Sequence, residues 1–187
     1  MNIDQSITKA IQKYSKNKTV LDLGGYNGGE CDTAIQAGAK SAICVDDESW
    51  KTYDNWHEFR PYPDVIYVKD DFMHYTKPAQ LVILKNVIYH QRNPWRTLEH
   101  ARTLTTERLL LATSYVEGDD PMWRVYAPYE GHPVSWTVAW RPTKAGLIKL
   151  LEATGFKDIE VLTERDHWSM AVMATPGKVP IGFGERN

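Results

Sequence analysis

The sequence predicts an α/β domain built on a mostly parallel sheet with helices on both faces. Three observations carry this prediction. Short apolar runs alternate with segments of helical periodicity in five strand–helix units. The runs are apolar throughout, as in strands buried on both faces. Four successive runs end in glycine, acidic or polar residues, at the carboxyl ends of strands where such sheets bind ligands.

The elements follow in order. Ile3, Ile7, Ala10, Ile11 and Tyr14 share one helical face, so residues 3–16 form a leading helix. Residues 19–23 (TVLDL) are a buried strand stopped by Gly24-Gly25. Cys31, Ala34, Ile35 and Gly38 mark the next helix, which Gly38 can end. Residues 41–45 form the second strand, ending at Asp46-Asp47. Residues 49–58 can form a helix with Trp50, Tyr53, and Trp56 or His57 inward, punctuated by Pro61 and Pro63. Residues 65–68 are the third strand, before Asp70-Asp71, and 81–84 the fourth, before Lys85-Asn86. Pro94 suits a helix start, with Leu98, Ala101 and Leu104 inward. Residues 108–115 are the fifth strand.

Residues 117–142 break the rhythm with four prolines and five Trp and Tyr residues, and read as an insertion. Thr143 can cap a helix carrying Leu147, Leu150 and Leu151, ended by Gly155. Residues 159–162 and 169–174 complete the strands, and 175–187 read as an irregular tail. A length of 187 residues fits a single domain, 1–187.

Composition narrows the functional classes. Hydrophobic residues are 42% and charged residues 25%, which excludes a disordered or fibrous chain. Lys and Arg number 22 against 24 Asp and Glu, a formal charge of -2, which argues against unaided capture of bare nucleic acid. Two cysteines do not make a disulfide scaffold. No apolar run is long enough to span a bilayer, and the first residues lack a signal-peptide core, so a cytoplasmic location without membrane partners is expected.

The glycines of residues 21–29 (LDLGGYNGG) let a ligand approach the backbone at a strand-to-helix turn, although a plain turn also uses them. Tyr26 breaks the dinucleotide pattern G-x-G-x-x-G. Asp46 lies 22 residues beyond Gly24, where a carboxylate can accept both ribose hydroxyls, or serve as a helix cap. Turn and acid together favour a nucleoside-containing cofactor. Asp70 or Asp71 can then take an adenine amino group.

On these residues the chain resembles a class I S-adenosylmethionine-dependent methyltransferase. The D-x-G-x-G-x-G motif of that superfamily corresponds to Asp22, Gly24, Tyr26 and Gly28, with tyrosine in place of the middle glycine. The resemblance implies a Rossmann-like fold with a seven-stranded sheet and S-adenosylmethionine as cofactor. It implies that Asp22, Gly24 and Gly28 frame the methionine end, with Gly25 and Tyr26 also binding the cofactor. Asp46 then holds the ribose, with Asp47 also binding the cofactor, and Asp70, Asp71 and Phe72 surround the adenine. Residues 85–94 (KNVIYHQRNP) are in addition similar to the catalytic domain of tRNA 5-hydroxyuridine carboxymethyltransferases, which use carboxy-S-adenosylmethionine. Tyr89, His90 and Pro94 match that pattern, whereas Gln80 and Lys85 depart from it, and small-molecule methyltransferases share the segment. Lys85, Asn86, Tyr89 and His90 are thereby expected at the transfer site.

Methyl transfer needs positioning and exclusion of water, and a base only where the acceptor loses a proton. His90 is the candidate base and Tyr89 its companion; each has a structural alternative, backbone bonding for the one and packing for the other. No histidine pair has metal-ligand spacing, and Cys31 and Cys44 fall inside elements, so neither a metal nor a cysteine nucleophile is expected. The insertion is expected to be a substrate lid, with Trp123, Tyr126, Tyr129 and Trp136 around the acceptor. Its four acids against two arginines favour a neutral or cationic acceptor. The spacing of Arg92, Arg96, Arg102 and Arg108 gives no basic stripe, so these are expected to be solvated.

The leading expectation is methylation of a small molecule or modified nucleoside. Modification of tRNA uridine with the carboxylated cofactor is an alternative. So are a catalytically inactive cofactor-binding module and an enzyme that degrades the cofactor.

Overall fold

The computed structural model describes residues 3–48, 61–126, 139–165 and 169–178. The order is α1 (Ile3–Ser15), β1 (Thr19–Leu23), α2 (Gly29–Gln36), β2 (Ser41–Asp46), β3 (Ile66–Lys69), β4 (Ala79–Lys85), α3 (Pro94–Leu104), β5 (Thr105–Ser114), β6 (Trp123–Tyr126), β7 (Ala139–Pro142), α4 (Lys144–Ala153), β8 (Phe156–Arg165) and β9 (Ser169–Pro176). Seven strands form one sheet in the order β3-β2-β1-β4-β5-β9-β8. β9 runs antiparallel to both of its neighbours, while β1 to β5 pair in parallel. The expected mostly parallel seven-stranded sheet is the one found.

The period of two along each strand sorts side chains between two cores. Leu21, Leu23, Val82, Leu84, Leu109 and Leu111 join Leu98 and Ala101 of α3 and Leu147 and Leu151 of α4. Val20, Leu81, Ile83 and Leu110 join Ile7 and Ile11 of α1 and Cys31 and Ala34 of α2 on the other face. By the same alternation Asp22 and Lys85 fall on the α1/α2 side. The strand order reverses between β1 and β4, and that switch point is where the carboxyl-end loops part to leave a crevice.

Several boundaries differ from the sequence reading. β4 begins at Ala79 and reaches Lys85, and β8 begins at Phe156, because strand pairing extends beyond the most apolar residues. β9 runs to Pro176, so the expected tail does not start at Thr175. Arg102 explains the next step: its guanidinium donates to the carbonyls of Gly155, at 3.0 Å, and Gly177. It therefore ties α3 to the ends of α4 and β9 instead of being solvated. The insertion contains a two-stranded antiparallel ribbon, β6 with β7. Thr143 caps α4 as expected, its Oγ1 accepting from the Gly146 N–H at 3.1 Å and donating to the Asp120 carbonyl at 2.6 Å. The helix expected at 49–58 lies outside the described residues, as do 127–138 of the insertion.

Candidate functional site

A cavity of about 650 Å³ opens at the switch point, within the size range of small-molecule sites. Its walls are the loops after β1, β2, β3 and β4. Asp22, Gly24, Gly25, Tyr26, Asp46, Asp47, Asp71, Phe72, Lys85, Asn86, Tyr89 and His90 all line it. The structure thus brings together most of the residues singled out from sequence.

The loop after β1 is held from below. The Tyr26 N–H donates to Asp46 Oδ2 at 2.9 Å, and the Cys44 thiol donates to the Tyr26 carbonyl at 3.9 Å. The Tyr67 hydroxyl donates to the Asn27 carbonyl at 2.9 Å. Tyr26 itself sits in the left-handed region at φ 53°, so the position keeps the backbone shape of the missing glycine while carrying a side chain. Gly25 has no such freedom: a Cβ there would lie 2.7 Å from both Asp22 Oδ2 and Cys44 Sγ.

Asp22 is the electrostatic anomaly of the site. It is 1% exposed, and neither carboxylate oxygen has a hydrogen-bond partner. Burial, then repulsion from Glu30, pushes its pKa well above the usual carboxylate value, while Lys85 opposes the rise. Lys85 Nζ donates to Glu30 Oε1 at 2.6 Å and lies 3.5 Å from Asp4 Oδ1. Burial pulls its pKa down, but the Glu30 and Asp4 carboxylates outweigh that, so the net shift is upward and Lys85 stays charged.

Asp46 is buried and accepts two backbone bonds, from Tyr26 and, at 2.7 Å, from the Glu48 N–H. Asp71 Oδ1 caps the short turn Phe72–His74 by accepting from the Met73 N–H at 2.9 Å. Tyr89 and His90 pack ring to ring, centroids 4.0 Å apart. His90 keeps an exposed edge, yet the surrounding protein lowers its pKa below 6.5, so the ring is neutral at pH 7. Burial raises the Tyr89 phenol pKa, and nearby Arg141 of β7 holds part of the rise back.

Some expected residues are elsewhere. Gly28 does not line the cavity; it starts α2 at φ 84° and packs against Tyr67, whose hydroxyl would meet a Cβ at 2.9 Å. Asp70 does not line the cavity; its carboxylate lies 3.3 Å from His74 Nδ1, while Asp71, which caps the turn at Phe72, is the acid that lines it. Trp123 lines a second cavity beside the ribbon. Tyr126 lies in β6, and its side chain is outside the described residues, as are Tyr129 and Trp136. Cys31 and Cys44 are buried, and burial raises the Cys31 thiol pKa well above its usual value. Sequence reasoning missed Asn27, Glu30, Val87 and Gln91. Asn27, Val87 and Gln91 lie within the two segments singled out from sequence, and Glu30 is an acid in the first turn of the helix after the glycine loop.

The chain matches the family model described as Methyltransferase domain over residues 2–161. It belongs to that family. Solved structures agree on the fold of this methyltransferase domain. The N-terminal domain of EvdMO1, in the presence of SAH and D-fucose, superposes with a TM-score of 0.71 at 20% identity, covering 94% of this chain and 84% of that one. The 1,6-didemethyltoxoflavin-N1-methyltransferase of Burkholderia thailandensis, with bound 1,6-didemethyltoxoflavin and S-adenosylhomocysteine, gives 0.65 at 17% identity, covering 94% and 80%. Human N-acetylserotonin methyltransferase in complex with SAM gives 0.64 at 17% identity, covering 93% of this chain and 51% of that one. No curated protein matches the sequence significantly. The narrower likeness to the tRNA enzymes is not carried by these matches. No helix among the described residues is long and apolar enough to cross a membrane.

Proposed function

We propose that the chain is an S-adenosylmethionine-dependent methyltransferase acting on a small molecule. The observation that carries this is Asp22, a buried carboxyl without a partner beneath a glycine turn, facing a cavity that Lys85 and Asp46 also line. A buried unpartnered carboxyl costs stability unless a ligand answers it. The ammonium of the cofactor's methionine end answers Asp22, and its carboxylate answers Lys85. Asp46 and Asp47 take the ribose hydroxyls, and Phe72 and Asp71 line the adenine side. Bound there, S-adenosylmethionine supplies an electrophilic methyl group. His90, neutral at pH 7, takes the proton of an acceptor that must lose one, and Tyr89 fixes the imidazole by ring contact. The structural neighbours whose acceptors are named in their descriptions, such as 1,6-didemethyltoxoflavin, support a small-molecule acceptor.

Calorimetric titration with S-adenosylmethionine and S-adenosylhomocysteine tests the reading. Both are expected to bind the wild type, and Asp22→Asn is expected to lose at least about tenfold in affinity, as for a lost charge-assisted bond. Absence of binding by either compound would overturn the assignment.

A further inference from the structure

A second cavity, of about 510 Å³, lies outside the cofactor cleft between the start of α3, the outer face of α4 and the β6–β7 ribbon. Trp95, Trp123 and Trp140 line it together with Leu150, Arg92 and Lys149. The ribbon separates it from the first cavity: Trp140 faces this one, while its neighbour Arg141 acts on Tyr89.

Most of its polar side chains are donors, and the one side-chain acceptor among the lining residues, Asn93 Oδ1, is used by the Arg96 N–H at 3.0 Å. The indole N–H of Trp123 is used by the Gly146 carbonyl at 3.2 Å, and that of Trp95 by Glu99 at 2.7 Å. The indole Nε1 of Trp140 is buried without a partner. Lys149 is paired with Glu152 at 2.8 Å, whereas Arg92 makes no ion pair or hydrogen bond among the described residues. The wall thus offers flat aromatic faces, one unanswered N–H and one unanswered guanidinium, beside the positive end of α3. A ligand that satisfies all of these is flat, apolar over most of its surface, and carries an anionic acceptor group.

We propose that this cavity binds a planar aromatic anion. The proposal is independent of the cofactor assignment, because none of its lining residues touches the cofactor cleft.

The test is calorimetric titration with 2-naphthoate and the matched cation 2-naphthylmethylamine, together with ¹⁵N-indole NMR of the tryptophan side chains. 2-Naphthoate is expected to bind about tenfold or more tightly than the amine, with shifts in the indole resonances of Trp95, Trp123 and Trp140. Arg92→Gln is expected to abolish the preference for the anion. Trp140→Phe, which keeps the ring and removes the N–H, is expected to weaken 2-naphthoate about fivefold. Both variants are expected to keep the wild-type melting temperature and the wild-type response to S-adenosylmethionine. Equal binding of anion and amine, binding of neither, an intact preference in Arg92→Gln, or shifts confined to other tryptophans would overturn the proposal.

Discussion

The Tyr26 N–H donates to Asp46 Oδ2 at 2.9 Å, joining the turn after β1 to the end of β2. One carboxylate therefore shapes the loop and faces the cavity that the loop encloses. The bond also fixes Tyr26 in a left-handed conformation that a non-glycine residue adopts at a cost of about 1 kcal/mol.

Substitutions at Tyr26 should follow that backbone. Tyr26→Gly is expected to change stability by less than about 1 kcal/mol, because relief of strain is offset by extra freedom in the unfolded chain. Tyr26→Val, β-branched at a positive φ, is expected to destabilise by about 1–2 kcal/mol. Urea unfolding of the two variants gives the comparison, and a Gly variant weaker than Val would contradict the local account.

Asp22 should be a site where ligand-free stability and function conflict. Burial disfavours the charged form of this carboxyl and raises its pKa in the native state, so the native state holds a proton more tightly than the unfolded chain does. As pH falls below the raised native value toward the ordinary one, the native state takes up a proton that the unfolded chain does not. Stability of the ligand-free protein then rises relative to a chain lacking this group. Asp22→Asn is expected to remove that pH dependence and to raise Tm by about 2–4 °C for each 1 kcal/mol relieved. Differential scanning calorimetry across the acidic range checks both.

Lys85 should discriminate the carboxylate of the cofactor. Lys85→Met is expected to weaken S-adenosylmethionine by about 10- to 100-fold, the range for a charge-assisted bond. Decarboxylated S-adenosylmethionine is expected to bind both forms alike. If the variant weakens the two ligands equally, Lys85 serves the loop rather than the carboxylate.

His90 should set the acid limb of the rate profile. Its lowered pKa means that the basic form is lost only as pH falls through a value below 6.5, so turnover is expected to be level near neutrality and to decline below that value. His90→Gln is expected to reduce turnover by about 10²- to 10⁴-fold and flatten that limb, for an acceptor that loses a proton. An unchanged profile in the variant would assign the imidazole a packing role.

Much of the site was legible because strand ends are punctuated in sequence. Gly24-Gly25, Asp46-Asp47 and Lys85-Asn86 each follow an apolar run, and all six residues line the cavity. Adjacent acids were not separable in the same way. Asp70 and Asp71 differ by one residue, and only the turn at Phe72 decides which faces inward. Nor was Glu30 recognisable as the partner of Lys85, since 55 residues separate them and only the pairing of β4 beside β1, on which α2 packs, brings them to 2.6 Å. Arg102 shows the same limit: its carbonyl acceptors, Gly155 and Gly177, are distant in sequence and carry no side-chain signal.

The sequence by itself determined the alternation of buried strands and helices, the order in which the binding loops occur, and the residue types that those loops offer. Hydrophobic periodicity and glycine placement are local properties, and local physics reads them. Tertiary structure alone decided which charges meet. It left Asp22 without a partner, kept Lys85 protonated between two carboxylates, and put three tryptophans around a cavity beside the ribbon. Desolvation and pairing depend on what surrounds a group in space, and that is set only when the sheet brings distant loops to one edge.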